Sequence, residues 1–111
     1  MVNWLHEISY FFGGAFLANA IPHFVAGAMG RPFQSPFAKP PGEGLSSSTV
    51  NVLWGFFNFV VAYLLIVCVG QFDLHDAPSM IALGLGALLL GLMLANRFGR
   101  FNGGDLKNAH L

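Results

Sequence analysis

The chain has 111 residues, 55% of them hydrophobic and only 9% charged, with five Lys or Arg against five Asp or Glu and no net charge. Soluble domains carry about 25% charged residues, so this chain has too few charges to cover a water-facing surface. Disorder would need the opposite balance, low hydrophobicity with high charge, and nucleic-acid binding would need a basic stripe. What remains is an integral membrane protein, read here as a single all-α domain over residues 1–111.

The charge-free gaps define three spans. Glu7 is followed by no Asp, Glu, Lys or Arg until Arg31, Glu43 by none until Asp73, and Asp76 by none until Arg97. Each gap holds the ~20 apolar residues that a helix needs to cross a ~30 Å hydrocarbon core. The spacing predicts helices over about 8–29, 49–69 and 79–98. The first is not a cleavable signal, since residues 1–7 lack Lys and Arg and its apolar stretch is long and carries Asn19, Pro22 and His23. Pro22 predicts a kink in this helix, freeing the carbonyl of Ala18 beside Asn19. Ser46-Ser47-Ser48-Thr49 supplies N-cap candidates for the second helix, and Asp76, Pro78 and Ser79 a start for the third. Gly30 and Gly70 stand where the first two should stop.

All five Lys and Arg fall in two places. Arg31 and Lys39 lie between spans one and two, and Arg97, Arg100 and Lys107 in the C-terminal tail. The loop from Gly70 to Ala77 has none, nor does the N-terminus. The positive-inside rule then predicts a multi-pass protein of the cell (inner) membrane, N-terminus outside and C-terminus cytoplasmic. Cys68, the single cysteine, lies inside span two and allows no internal disulfide. No zinc-ligand pair, phosphate-binding loop or hydrolase elbow is present, so no metal, cofactor or catalytic residue is assigned.

Polar groups inside the spans carry the information, because hydrocarbon offers them no partner. Asn19 and His23 are four apart and share a helix face, as do Asn51 and Asn58, seven apart. The antiparallel run of the two spans lets Asn19 meet Asn58 and His23 meet Asn51, with Trp54 between the asparagines. The resulting patch in the cytoplasmic half of the membrane has two readings. It is a ligand-binding or permeation site, or it is hydrogen-bonded glue between helices. Residues 30–45, GRPFQSPFAKPPGEGL, form a stiff cytoplasmic loop in which Arg31, Phe33, Phe37 and Lys39 suit a lipid headgroup layer or a lid over the patch. Residues 99–111 are expected to be a mobile tail.

Small residues mark packing faces: Asn51, Gly55, Asn58 and Ala62 in span two, and Gly84, Ala87, Gly91 and Ala95 in span three. The second stripe predicts a homo-oligomer. His6 and Glu7 read as a solvated interfacial pair. Glu7 and His23 lie roughly 24 Å apart along one helix and offer no acid–base couple.

Pro22-His23-Phe24, then Pro32-Phe33 and Pro36-Phe37, then Ser47-Ser48, Asn51, Trp54-Gly55 and Asn58 form a pattern. It resembles an uncharacterised group of small bacterial inner-membrane proteins. The resemblance covers residues 19–58 and implies a bacterial inner-membrane setting without an activity. The function expected from the residues is binding or passage of a small solute or lipid headgroup between helices one and two. The alternative is a non-catalytic accessory subunit of a larger membrane complex. An enzyme acting on a lipid or quinone ranks last.

Overall fold

A computed structural model describes residues 2–104. The described chain is mostly helical, with three helices long and apolar enough to cross a membrane. Helix α1 spans Trp4–Ala28, α2 Ser48–Tyr63 and α3 Ala77–Asn102. A two-residue ladder pairs β1, Phe33–Gln34, antiparallel with β2, Leu45–Ser46. The loop between α1 and α2 is therefore a short hairpin.

Local chemistry sets the ends. Asn3 caps α1, its side chain accepting from the amides of Leu5 and His6, so the helix starts four residues before the expected Ile8. At the other end Gly30 adopts φ +74°. Its amide reaches Gly27 O at 3.0 Å while the Arg31 amide reaches Ala26 O at 2.9 Å. This is a Schellman stop, and the left-handed φ is why a glycine stands there. Pro22 lies inside α1 without ending it. Ser47 caps α2 and Asp76 caps α3, with Pro78 in the first turn. The last turn of span two, Leu64–Cys68, widens into a π-helix, and Ser9 Oγ of α1 donates to Leu65 O there at 2.6 Å.

Helix α1 is the centre of the layer, packing against α2 on one side and α3 on the other. Its contacts are close because glycines line them. A Cβ on Gly55 would come within 2.6 Å of the Phe24 backbone, and one on Gly27 within 2.7 Å of the Val52 amide. On the other side a Cβ on Gly14 would enter the Leu83 carbonyl and one on Gly86 the Phe11 carbonyl. The span-two stripe of Asn51, Gly55, Asn58 and Ala62 is buried throughout, as its spacing predicts. In α3 the buried glycine is Gly86, whereas Gly84 and Gly91 face open space.

Only 33% of the apolar window of α1 is buried inside the protein, and 11% of that of α3. Exposed Leu, Phe, Ile and Met side chains run along all three helices. This surface fits a membrane protein and not a water-facing one.

Two expectations are corrected. Residues 99–102 continue α3 and do not belong to a mobile tail, since Asn102 Nδ2 donates to Gln34 Oε1 at 3.0 Å and ties the helix end to the hairpin. Gly103 caps the helix, and the end of that tail, residues 105–111 with Lys107, lies outside the described residues. His6 and Glu7 are not a solvated pair, because Glu7 is buried under the start of α3.

Candidate functional site

The four polar residues of spans one and two meet in the pairs that their spacing predicts. Asn19 Nδ2 donates to Asn58 Oδ1 at 3.0 Å, and Asn58 Nδ2 donates to Trp54 O at 2.7 Å. His23 Nδ1 lies 2.9 Å from Asn51 Oδ1. Asn51 and Asn58 are completely buried and His23 is nearly so.

Asn51 is the hub. Its Nδ2 faces the carbonyls of Phe33, Ser46 and Ser47 at 3.1, 3.2 and 3.1 Å. Carbonyls only accept, so this end of the amide must be the NH₂ and the other end the oxygen. His23 Nδ1 therefore carries a proton and donates to Asn51 Oδ1. In the neutral ring Nε2 is then left as an acceptor. The amide fixes helix and hairpin together, one group joining α1, α2 and both strands.

Aromatic rings close around the imidazole. Phe33, Phe98 and Trp54 approach His23 edge-on with centroids at 5.5, 5.8 and 6.3 Å. Phe33, grouped by its sequence with the interfacial residues, turns inward and also meets Phe98 at 4.8 Å. Phe37 stays exposed and rests its ring edge on Trp54 at 5.1 Å. Arg31 and Lys39 are exposed on the loop. The hairpin is held by the Ser35–Ser46 hydroxyl contact and by the Gln34–Asn102 bond.

Beneath the hairpin is a cavity of about 210 Å³, whose wall includes Asn19, His23, Ser35, Trp54, Arg97 and Phe98. Two features point to a ligand. The Trp54 indole N–H is buried and has no acceptor. The Arg97 guanidinium lines the same cavity, and no carboxylate of the described residues pairs with it. It lies against Gly42, where a Cβ would come within 2.9 Å of Nη2 and where φ is +76°. Two residues with uncommitted donors, one of them cationic, thus line this cavity, and its other polar residues are tied by hydrogen bonds within the protein apart from His23 Nε2, which stays an open acceptor. The chemistry this suits is an acceptor-rich, anionic group.

In the sequence Arg97 reads only as a topology-setting charge. Leu94, Arg97 and Phe98 fall on one face of α3 at i, i+3, i+4 spacing, and that spacing is the available signal. Gln34 and Ser35, both buried, depend on the hairpin and have no local signature. Among the described residues no three His, Cys, Asp or Glu converge at metal-binding distance.

Comparison with protein-family models, curated proteins and solved structures finds no match for this chain.

Proposed function

We propose that this chain is a three-span inner-membrane protein, N-terminus outside, that binds or passes a small anionic solute or lipid headgroup in the cavity under its hairpin. The observation that carries this reading is the buried indole N–H of Trp54, without an acceptor among the described residues, on a residue that lines the cavity together with Arg97. A buried orphan donor costs roughly 1–3 kcal/mol, and a phosphate or carboxylate oxygen would supply the missing acceptor. Asn51 and Asn58 have their amide donors committed within the protein. In this reading they build the wall with Asn19, while Trp54, Arg97 and His23 meet the ligand. Arg31 and Lys39 add positive charge at the mouth, with Phe37 anchoring the loop in the headgroup layer.

A second reading, a non-catalytic subunit of a larger assembly or a homo-oligomer, rests on a different observation. The outer face of α3 presents Gly84 and Gly91 with none of the described residues above them, and small residues at an open helix face favour close helix–helix approach in lipid.

The test uses Trp54 as its own reporter. In a Trp4→Phe background, Trp54 emission is titrated with glycerol phosphate and with phosphatidylglycerol. A saturable change, lost in Arg97→Gln, supports the site. Trp54→Phe should weaken retention of the same probe about tenfold, roughly 1.4 kcal/mol, without loss of thermal stability. A flat titration with both probes overturns the ligand reading and leaves the subunit reading.

A further inference from the structure

The far end of the helices holds a second, acidic site. Glu7 lies on the inner face of α1, only 9% exposed. Its Oε1 accepts from Ser79 Oγ at 3.1 Å, and the same hydroxyl lies 2.6 Å from Asp76 Oδ2. A hydroxyl has one proton, so it cannot serve both carboxylates at once. Arg31, Lys39, Arg97 and Arg100 all stand at the hairpin end, so among the described residues no Lys or Arg side chain offsets this pair. Glu7 Oε2 is buried and has no hydrogen-bond partner among the described residues.

The space beside these groups is polar on one side and apolar on the other. A pocket of about 300 Å³ is lined by Asn3, His6, Tyr10, Gln71, Asp76 and Ser79 together with Glu7. Next to it, between α1 and α3, runs a groove of about 580 Å³ walled by Ile8, Phe11, Phe12, Ile81 and Leu85. Glu7 and Val2 belong to both. A buried carboxylate oxygen without a donor thus stands where an acidic pocket opens into an apolar groove.

We infer that this juxtaposition binds a lipid with a primary-ammonium headgroup, the ammonium against Glu7 and Asp76 and an acyl chain along the α1–α3 groove. A primary ammonium carries three N–H donors. It offers a donor to Glu7 Oε2 and a positive charge to the two carboxylates. Glutamate χ3 is a broad torsion, so Oε2 can turn toward the pocket, and Ser79 Oγ then keeps Asp76 Oδ2 as its acceptor at 2.6 Å. A trimethylated ammonium has no N–H and leaves Oε2 orphaned. An anionic headgroup meets two like charges. A bare metal ion finds no set of three ligands among the described residues.

This inference shares with the proposed function only the premise that the chain resides in a membrane, and carbonate extraction of cell membranes tests that premise separately. The site itself is tested on the purified full chain by native mass spectrometry. Phosphatidylethanolamine and phosphatidylcholine with identical acyl chains are titrated into wild type, Glu7→Gln and Ala82→Trp. Wild type should retain phosphatidylethanolamine about tenfold more tightly than phosphatidylcholine. Glu7→Gln keeps an oxygen for Ser79 to donate to, so it should fold, and it should abolish that preference while phosphatidylcholine retention stays the same. Ala82→Trp fills the groove and should lower retention of both. Asp76→Asn, which still caps α3, is the second variant should Glu7→Gln unfold, and it should reduce the preference likewise. Equal retention of the two lipids by wild type, or an undiminished preference in a folded Glu7→Gln or Asp76→Asn protein, overturns the inference. Competition by free ethanolamine as strong as by the lipid also overturns it, because the groove would then contribute nothing.

Discussion

His23 Nδ1 donates to Asn51 Oδ1 across 2.9 Å, and the direction of that bond is dictated from the far end of the asparagine, where three backbone carbonyls face its NH₂. The pair links α1 to α2 at the point where the hairpin folds over both. It makes the hairpin part of the helix packing instead of a free connector.

Asn51→Leu removes this hub while keeping the γ-branched shape in a somewhat larger side chain. It orphans the His23 N–H and deprives the carbonyls of Phe33, Ser46 and Ser47 of their common donor. The expected cost is about 3–5 kcal/mol. Thermal unfolding in detergent should fall sharply, and limited proteolysis should cut within residues 31–46 before the helices. An unchanged melting temperature together with a protease-resistant hairpin would contradict the hub role.

The α1–α3 contact is equally specific. Gly14→Ala and Gly86→Ala each push a methyl into a backbone carbonyl of the opposite helix, and backbone yields only by separating the helices. Each should destabilise by about 1–3 kcal/mol. Gly84→Ala, two residues away and facing open space, should be neutral or slightly stabilising, since alanine favours helix over glycine by up to ~1 kcal/mol. The ordering of the three melting temperatures checks this, and a Gly84→Ala protein as unstable as Gly86→Ala contradicts it.

The three helices were legible because charge-free gaps and cap residues are local signals. The Asn19–Asn58 and His23–Asn51 pairs were legible because fixed helical rise turns sequence spacing into depth. What the sequence concealed depends on tertiary closure. The hairpin brings Phe33 in against His23 through a two-residue ladder too short to leave an alternating pattern. Glu7 read as interfacial from its place near a terminus. Asn3 starts α1 early enough to set Glu7, Tyr10 and Gly14 on one inward face at i, i+3, i+7 spacing. Gly86, not Gly84 or Gly91, packs on α1, because a stripe of small residues does not say which side of the helix meets a neighbour.

The proposed orientation puts the hairpin in the cytoplasm. Lys39 is exposed and makes no ion pair among the described residues, so it is a benign position for a reporter. Cys68 is exposed as well and must first be removed. In a Cys68→Ala, Lys39→Cys protein, a membrane-impermeant maleimide should label inverted vesicles and spare intact cells. Labelling of intact cells would reverse the topology.

Self-association through the outer face of α3 is tested by filling it. Gly91 faces open space, so Gly91→Leu costs the monomer nothing in packing and adds a leucine where a second copy would approach. Crosslinked dimer or trimer in native membranes should drop several-fold while helicity and melting temperature of the monomer persist. Wild type that crosslinks only as monomer in the bilayer would remove the oligomer proposal.

The last prediction separates wall from ligand contact at His23. A glutamine there can still donate to Asn51 Oδ1, so the polar link survives. What it loses is the ring that Phe33, Trp54 and Phe98 meet edge-on. Such aromatic contacts contribute roughly 0.5–1.5 kcal/mol each beyond burial, so His23→Gln should fold but melt several degrees lower. His23→Phe restores the ring and leaves Asn51 Oδ1 buried without a donor, at a cost of about 1–3 kcal/mol. If His23 only frames the cavity, both variants should retain phosphatidylglycerol in proportion to their folded fraction. If Nε2 accepts from a donor on the bound group, His23→Phe should lose retention beyond what unfolding explains, because a phenyl ring offers no acceptor, while His23→Gln, whose Oε1 still accepts, should lose less. Retention per folded molecule, measured for both variants at one temperature below either melting point, decides between the two roles. An undiminished value in both takes His23 out of the ligand contacts and leaves it as the pin that holds the hairpin to α1 and α2.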